Sequence, residues 1–347
     1  MTGAADGSAT GSGPGAGVEY VLPLRWMDNR RDEDLTRYLR RLVRSVDVTV
    51  VDGSPAPVFE RHAALWGSWL RHVRPEAPPR TGCNGKAVGV MTGLRMARHE
   101  LVVIADDDVR YSRRSLREVV DRLRDADLVR PQNYYSPLPW HARWDTARIL
   151  INRAFASDYP GTLALRRSSL PDGYREDVLF ENLELIRTVR ARGGREARAD
   201  DVFVARIPPT ARHFWSQRVR QAYDSQAQPL RLAAELALLP ALLLQSRRPA
   251  GYLLWGAACV GIAAAGRKRH GGVEAFGPSA PAWAPLWVAE RALAAWSALA
   301  LRAAGGVPYA GSRIRDAATP QRSLRPAGPK EPAAPEKPAA PEKGPRP

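Results

Sequence analysis

Hydrophobic and polar residues alternate in a regular way over residues 18–226. Residues 19–24 and 46–51 are short runs rich in leucine and valine, which favour strands. Residues 33–45 place leucine and tyrosine on one face at helical spacing. Residues 101–105 form a continuous apolar run, typical of a central strand that is buried on both faces. This alternation predicts an α/β fold with a mostly parallel sheet flanked by helices.

Composition divides the chain into four regions. Residues 1–17 are rich in glycine and alanine and lack a basic start or an apolar run, which predicts a disordered leader rather than a signal peptide. Residues 18–226 form the predicted α/β domain. Residues 227–304, rich in alanine, leucine and tryptophan, are predicted to be an apolar helical region that associates with a membrane. Residues 305–347 end in a run of proline, alanine, glutamate and lysine, which predicts a disordered tail.

One stretch of the apolar region, residues 249–266, carries no charge and is rich in small residues that suit helix contacts in a membrane. Its length is at the lower limit of the about 17–25 residues that span a bilayer. The basic residues 267–269 follow it directly, as a cytoplasmic flank does. Residues 283–304 are interrupted by Glu290 and Arg291, which favours a position along the membrane interface. We expect a transmembrane helix at 249–266; a soluble helical subdomain is the alternative.

The chain is strongly basic, with a formal net charge of +16, but its arginines are scattered among acidic residues. There is no zinc-finger spacing, RNA-binding signature or alternation of aromatic and basic residues, so we expect no nucleic-acid partner. Solvated helix faces explain this charge, and so does attraction to anionic lipid or to phosphate groups of a ligand. The two cysteines lie far apart, which argues against a disulfide framework and suits a reducing compartment.

Three successive carboxylates, Asp106, Asp107 and Asp108, follow the apolar run that ends at Ala105. They repel one another and add nothing to a core. In open α/β sheets, ligands bind at the carboxyl ends of the strands. Carboxylates suit a divalent cation, which neutralises a diphosphate, and one acid can accept hydrogen bonds from ribose or sugar hydroxyls. We therefore expect a metal or sugar site here; a turn or a helix cap is the alternative.

Two other candidate residues lie near predicted element ends. Asp52 follows the strand at 46–51 and precedes Gly53, where an ordinary Asp-Gly turn is the alternative. A helix is predicted near residues 59–72, and Lys86 lies at the start of the next predicted helix. The N-terminus of a helix, together with a lysine, favours the binding of an anion. A surface lysine is the alternative there.

In this order the motifs resemble the family 2 glycosyltransferases, which have the GT-A nucleotide-sugar-binding fold. The resemblance covers roughly residues 18–226, and the ordered set is more specific than any single motif. The motifs that carry it are Asp52-Gly-Ser, Gly85-Lys86 with Gly93-Leu-Arg-Met-Ala97, Asp106-Asp-Asp108, Gly161 to Arg167, Gly173-Tyr174, Phe180-Glu-Asn-Leu-Glu-Leu185, Arg192-Gly193 and Gln217-Arg-Val-Arg220.

The resemblance implies a donor site built from residues at the strand ends. Asp52 would contact the nucleotide base, and Lys86 the nucleotide end of the donor. Asp106 would contact the ribose or the sugar, and Asp107 would also bind the donor. Asp108 would hold Mg²⁺ or Mn²⁺ at the diphosphate.

Gln217 and Arg220 resemble the Gln-x-x-Arg-Trp element of the family and would lie at the diphosphate or the growing acceptor. This element is most frequent in the membrane-attached branch, which includes ceramide glucosyltransferases and cellulose-synthase-like enzymes. The aromatic residue that usually follows is Gln221 here, which argues against a processive polymerase.

One departure concerns the catalytic base. The family usually has Glu-Asp where this chain has Glu181 and Asn182, and the aspartate is the usual base. Asparagine cannot accept a proton at neutral pH. We therefore predict that Glu181 deprotonates the acceptor hydroxyl, with Asp177 and Glu184 as the nearest alternatives.

Together these expectations describe an inverting glycosyltransferase at the cell membrane with a cytoplasmic GT-A domain. Its expected partners are a nucleotide-sugar donor, a lipid-linked or cell-envelope glycan acceptor and membrane lipids. One alternative is a sugar-phosphate nucleotidyltransferase, although that class usually has a glycine-rich loop straight after its first strand, where this chain has residues 24–29. The other is a non-catalytic relative that binds a nucleotide sugar at the membrane.

Overall fold

The computed structural model describes residues 17–28, 31–76, 83–245, 250–309 and 311–324. Apart from Gly17, the predicted disordered leader lies outside the described residues, as does the proline-rich run from residue 325 onward.

Eight strands form one sheet in the described part of the chain. They are β1 (Val18–Leu24), β2 (Asp47–Asp52), β3 (Arg71–Val73), β4 (Leu101–Ala105), β5 (Val109–Arg110), β6 (Leu128–Tyr135), β7 (Thr162–Arg166) and β8 (Glu196–Arg206). In space they follow the order β3-β2-β1-β4-β7-β6-β8-β5. Neighbours are parallel from β3 to β4 and between β6 and β8, and antiparallel at the other pairings. The predicted α/β fold with a mostly parallel sheet is confirmed.

Helices accompany the strands and continue after the last strand of the sheet. They are α1 (Asp32–Leu42), α2 (Ala56–Trp66), α3 (Gly85–Met96), α4 (Arg113–Arg122), α5 (Trp140–Phe155), α6 (Glu181–Ala191), α7 (Ala211–Ser216), α8 (Arg218–Tyr223), α9 (Pro229–Gln245), α10 (Ala250–Lys268), α11 (Gly272–Ala275) and α12 (Ala284–Ala303). α1 begins with acidic residues and ends with arginines, an order that suits the helix dipole. α4 begins after Ser112, whose hydroxyl accepts a hydrogen bond from the Ser115 N–H.

Alternate residues of β1 point to opposite faces of the sheet. Tyr20 and Leu22 belong to one core cluster with residues of α1 and α4, whereas Val21 packs into a second cluster with α3 and α6. Gly93 lets α3 lie directly on β1, because a Cβ there would collide with Val21. Since β1, β2 and β4 are parallel, their carboxyl ends lie at the same edge of the sheet.

The predicted helix near 59–72 is two separate elements. α2 ends at Trp66, and β3 begins at Arg71 and pairs with β2 at the edge of the sheet. A three-residue edge strand leaves too short a pattern to be distinguished from the end of a helix.

The apolar region forms helices as predicted, and α10 and α12 pack on α5 and α8. α10 lies so close to α5 that a Cβ on Gly266 would collide with the carbonyl of Leu150. Among the described residues, no helix has the length and apolar character needed to cross a membrane. The transmembrane helix expected at 249–266 is therefore not supported. α10 covers this stretch, but alanine and glycine make up much of it and contribute little hydropathy.

The predicted disordered tail is wrong for residues 305–324. β9 (Val307–Tyr309) and β10 (Ser312–Ile314) form an antiparallel hairpin. Val307 and Ile314 are buried in a cluster with residues of α6, α8 and α12. These apolar residues precede the proline-rich run. The prediction used the composition of the whole segment 305–347, in which the proline-rich run outweighs them.

Candidate active site

A cavity of about 650 Å³ opens at the carboxyl ends of β1 and β4. Its walls come from the turns that follow these strands, the start of α3, the start of α6, the end of β8 and the α7–α8 segment. All of the predicted site residues except Asp52 line this cavity. A larger cavity of about 1040 Å³ beside α1 and α4 contains none of them.

Arg206, the last residue of β8, contacts the acid triplet, and no sequence motif pointed to it. Its Nε lies 3.0 and 3.1 Å from the two carboxylate oxygens of Asp108, and Nη2 lies 2.8 Å from Oδ2. Nη2 also lies 3.4 Å from Asp106 Oδ2. The antiparallel pairing of β8 with β5 places Arg206 opposite Val109 and so beside the triplet. A Cβ at Gly161 would lie within 3 Å of the Asp106 carboxylate and the Arg206 guanidinium, so a larger residue there would displace these side chains.

Asp107 joins the triplet to the segment that follows β1. Its Oδ2 accepts hydrogen bonds from Trp26 Nε1 at 2.6 Å and from Arg31 Nη1 at 3.3 Å.

The pKa of Asp108 is raised, mainly because the carboxyl group is buried. The charge of Arg206 lowers this pKa, whereas the charges of Asp106 and Asp107 raise it further. The crowded triplet therefore attracts positive charge.

Lys86 bridges the triplet and α6. Its Nζ lies 2.5 Å from Asp106 Oδ1 and 2.5 Å from Glu181 Oε1. The side chain of Asn84 accepts a hydrogen bond from the Lys86 N–H and lies 3.5 Å from Glu181 Oε2. Burial lowers the pKa of Lys86, but the two carboxylates outweigh this effect and hold the pKa above its usual value. Lys86 is therefore a protonated cation in the cavity wall.

Asp52 ends β2 but lies outside the cavity lining. Its carboxylate is fully buried: Oδ1 accepts a hydrogen bond from the Ser54 N–H at 2.9 Å, and Oδ2 lies 2.7 Å from His62 Nδ1 and 3.0 Å from His72 Nε2. His62 Nε2 lies 3.3 Å from Asp32 Oδ1. Burial raises the pKa of Asp52, but these hydrogen bonds outweigh it and hold the pKa well below its usual value. The predicted contact of Asp52 with the nucleotide base does not follow from this geometry.

The three candidates for the catalytic base have different surroundings. Glu181 is the first residue of α6 and lines the cavity. Asn182, at the family's usual base position, donates a hydrogen bond to a backbone carbonyl at 2.9 Å. Glu184 is fully buried and accepts hydrogen bonds from the N–H and the hydroxyl of Thr319 at 2.6 Å each. Asp177 forms an ion pair with an exposed arginine at 2.8 Å. Neither Glu184 nor Asp177 lines the cavity, and the carboxylates of both are bound to other groups of the protein.

The α7–α8 segment forms another part of the cavity wall. Arg220 Nη1 lies 3.5 Å from Gln217 Oε1, and its guanidinium lies 4.8 Å from the centroid of the Tyr309 ring. The Tyr309 hydroxyl donates a hydrogen bond to Asn84 Oδ1 at 2.9 Å. Burial lowers the pKa of His213, as does the charge of Arg220, so His213 is a neutral imidazole in this wall. The β9–β10 hairpin therefore supports both sides of the cavity.

The acid triplet fits a divalent cation by its donor chemistry, because Mg²⁺ and Mn²⁺ prefer oxygen ligands such as carboxylates. In the described residues, the ion-paired group around the triplet contains more carboxylates than basic side chains, which leaves negative charge. The carboxylates are Asp106, Asp107, Asp108 and Glu181, and the basic side chains are Arg31, Lys86 and Arg206. Arg206 contacts both oxygens of Asp108 and therefore competes with a cation for this carboxylate.

Residues 73–132 match the family model described as glycosyl transferase family 21. This segment runs from β3 into β6 and contains Lys86 and the acid triplet. No curated protein matches the chain.

Among solved structures, the chain is similar to a mannosyltransferase from Pyrobaculum calidifontis in complex with GDP-Man and Mn²⁺. The two share 19% sequence identity over 84% of this chain and 76% of that chain, with a TM-score of 0.47. Glucosyl-3-phosphoglycerate synthase from Mycobacterium tuberculosis in complex with Mn²⁺ and UDP-Glc shows 20% identity over 59% of this chain and 77% of that chain, with a TM-score of 0.42. These likenesses assign neither a substrate nor a residue's role.

Proposed function

We propose that the protein is a glycosyltransferase that moves a sugar from a nucleoside diphosphate sugar to an acceptor hydroxyl. One observation carries the proposal. The segment that matches a glycosyltransferase family supplies Lys86 and Asp106 to Asp108, and these residues line one cavity of about 650 Å³. Cavities of about 300–1,000 Å³ are typical of sites for small ligands.

The cavity lining offers two kinds of group for the diphosphate of a nucleotide-sugar donor, an arginine and an acid triplet. Arg220 and Gln217 line the same cavity as the acid triplet, and an arginine can offer two parallel N–H groups to a phosphate. Asp108 would hold Mg²⁺ or Mn²⁺. When bound, the cation neutralises the diphosphate and so makes it a better leaving group.

We propose an inverting displacement. The acceptor oxygen approaches the anomeric carbon on the face opposite the diphosphate, and a base removes its proton. Glu181 is the base that the sequence predicts, and it lines the cavity. Its carboxylate also pairs with Lys86 at 2.5 Å, so holding Lys86 in place is a second task for this residue.

The acceptor class that we propose is a lipid-linked or cell-envelope glycan at the cytoplasmic face of a membrane. Leucine side chains of α9, α10 and α12 face solvent, and Leu253 and Leu254 are 78% and 75% exposed. The exposed leucines include Leu243, Leu244, Leu253, Leu254, Leu286 and Leu293. Lys268 and Arg269 at the end of α10 are exposed, and the net charge of +16 attracts anionic headgroups. We propose that this apolar face lies on the surface of an anionic bilayer.

A non-catalytic protein that binds a nucleotide sugar is the second candidate. It is favoured by Asn182, which occupies the family's base position and donates its amide to a backbone carbonyl. A sugar-phosphate nucleotidyltransferase is the other enzyme class, and it would release pyrophosphate instead of a nucleoside diphosphate.

Thermal unfolding with UDP-Glc, GDP-Man or a dTDP-sugar, each with and without Mn²⁺, tests the donor site. A ligand that binds the native state raises the melting temperature, and at about 100 times its Kd it adds about 2.7 kcal/mol. We expect one donor class to raise the melting temperature more with Mn²⁺ than without it. Identical melting temperatures under all conditions would contradict the proposal.

A further inference from the structure

Asp224 lies where two cavities meet. It follows α8 and is the first residue of a short 3-10 helix, Asp224–Ala227. Its side chain lines the 650 Å³ cavity and also a smaller neighbour of about 170 Å³. The residues that line both are Arg148, Tyr159, Phe180, Arg206, Gln221 and Asp224. A molecule that extends from the smaller cavity toward the acid triplet therefore passes this carboxylate.

The Asp224 carboxylate differs from the other carboxylates of the cavity. Its Oδ1 is buried and has no hydrogen-bonding partner among the described residues. The other carboxylates that line the cavity, all of which interact with another group, are Asp28, Asp106, Asp107, Asp108, Asp145 and Glu181. Buried acceptors without a partner are rare in folded proteins, and catalytic positions are one place where they occur.

Charged and titratable groups surround Asp224 on every element that packs around it. They are Glu181 on α6, Arg220 on α8, Arg231 on α9, Arg291 on α12, and Arg148, Tyr159 and Arg206 across the smaller cavity. Burial is the largest influence and raises the pKa of Asp224; the arginines oppose it, Glu181 adds to it, and the pKa comes to about 7. A general base works best when its pKa lies near the operating pH.

We propose that Asp224, and not Glu181, is the general base of the transfer, an inference that rests on the proposed function. The acceptor hydroxyl passes its proton to Asp224 while its oxygen forms a bond to the anomeric carbon of the donor sugar. The bond from that carbon to the diphosphate oxygen breaks, and its electron pair leaves with the nucleoside diphosphate. Asp224 then releases the proton to solvent. Glu181, which is paired with Lys86, is a positioning residue in this scheme.

Release of nucleoside diphosphate from UDP-Glc or GDP-Man with Mn²⁺, with water as the acceptor hydroxyl, tests the assignment in the full chain. Asp224→Asn should lose about 10²–10⁴ in kcat, the usual effect of a general base, with an unchanged KM for the donor. The wild-type rate should rise with pH through about 7, and this rise should be absent in the variant. Asp172→Asn, a change to a side chain that is 83% exposed, should match the wild type.

Two further measurements separate a missing base from a damaged fold. Added formate, a small carboxylate, should restore part of the rate of Asp224→Ala and leave the wild-type rate unchanged.

The folded state raises the pKa of Asp224, so the stability that this group contributes is lost as the pH rises through about 7. Asp224→Asn should therefore melt above the wild type in alkaline buffer, and the difference should shrink as the pH falls.

The outcomes distinguish the two proposals. Equal turnover in the wild type and Asp224→Asn would overturn the base assignment and leave the transferase intact. The same holds if the pH dependence persists in Asp224→Asn and disappears in Glu181→Gln. If the wild type releases no nucleoside diphosphate from either donor, the proposed function fails and the base assignment fails with it.

Discussion

Two acids at the ends of the strands on either side of β1 have opposite surroundings. Asp52 ends β2 and Asp106 follows β4, and β1 lies between these strands. Asp106 lines a cavity and contacts the side chains of Lys86 and Arg206. Asp52 is fully buried and bonded to two histidines. A position at the carboxyl edge of the sheet therefore does not by itself place an acid in the cavity wall.

The difference arises from what packs over each strand end. His62 on α2 and His72 on β3 lie beside Asp52, and aromatic rings cover both histidines. Trp66 stacks on His62 with ring centroids 4.3 Å apart, and Phe59 stacks on His72 at 4.4 Å. Beside Asp106, by contrast, Gly161 has no side chain, and the Asp106 carboxylate and the Arg206 guanidinium lie against its backbone. The side chains over a strand end decide whether its acid is part of the core or of a site.

The largest effect should come from Asp52→Ala. Removal of one partner from a buried charged network commonly costs about 3–5 kcal/mol, and His62 and His72 would lose their acceptor. Because the folded state lowers the pKa of Asp52, its stabilisation is present above the unfolded value of about 3.9 and is lost as the pH falls below it. Urea unfolding at several pH values measures both effects.

Donor affinity provides the contrasting measurement for the same variant. We expect the folded fraction of Asp52→Ala to bind the donor as the wild type does, since Asp52 lies outside the cavity lining. Normal stability combined with lost donor affinity would instead return Asp52 to the base-binding role that the sequence implies.

Asp108→Asn should have the converse effect: lost binding with the fold retained. Cation coordination supplies several kcal/mol of charge stabilisation, so we expect metal-dependent donor affinity to fall by about 100-fold or more. Calorimetric titration with Mn²⁺ and the donor measures this change. Asp201→Asn, a change at a surface ion pair, is the matched control. If Asp108→Asn binds the donor and Mn²⁺ with the affinity of the wild type, the triplet does not hold the cation.

The sequence predicted the parts of the site that depend on local pattern. The apolar run of β4 predicts a buried strand, and the strand's end predicts where Asp106 to Asp108 lie. The burial of Asp52 could not be predicted, because it depends on His62 and His72, which belong to no motif and reach Asp52 only through tertiary packing. The resemblance to a family assigned Asp52 by its position in the chain, without information on what covers it.

Residues that depend on long-range pairing were missed. Arg206 reaches the triplet because β8 pairs with β5, and no local pattern reports that register. Asp224 carries no motif, and its place at the junction of two cavities depends on α5, α6, α9 and α12. The β9–β10 hairpin had a signal in Val307 and Ile314, which were averaged with the proline-rich run that follows.

Arg206→Gln should change the affinity of the acid triplet for Mn²⁺. Hydrogen bonds between charged groups contribute about 1.5–3 kcal/mol, so freeing Asp108 should tighten Mn²⁺ binding by about tenfold or more. Titration with Mn²⁺ alone measures the change. Weaker Mn²⁺ binding in this variant would mean that Arg206 supports the cation site instead of competing with the cation.

The smallest effect should come from substitution of leucines that are exposed on α10. Leu253→Glu and Leu254→Glu should each weaken binding to vesicles that contain phosphatidylserine by about 1.5 kcal/mol or less, since these side chains would be only partly buried. Co-sedimentation with anionic and with neutral vesicles measures this binding, with Asp172→Asn as the control. Unchanged binding in both variants would remove α10 from the membrane face.

The most direct measurement is the identity of the product formed from a nucleotide sugar. The full chain is incubated with Mn²⁺ and with UDP-Glc or GDP-Man labelled in the sugar, alongside Asp108→Asn. We predict that the wild type releases nucleoside diphosphate and labelled sugar in equal amounts, and that Asp108→Asn releases about 100-fold less. A parallel incubation contains a nucleoside triphosphate and a sugar phosphate. Formation of pyrophosphate there, with no release of nucleoside diphosphate from either donor, would contradict the proposed transfer.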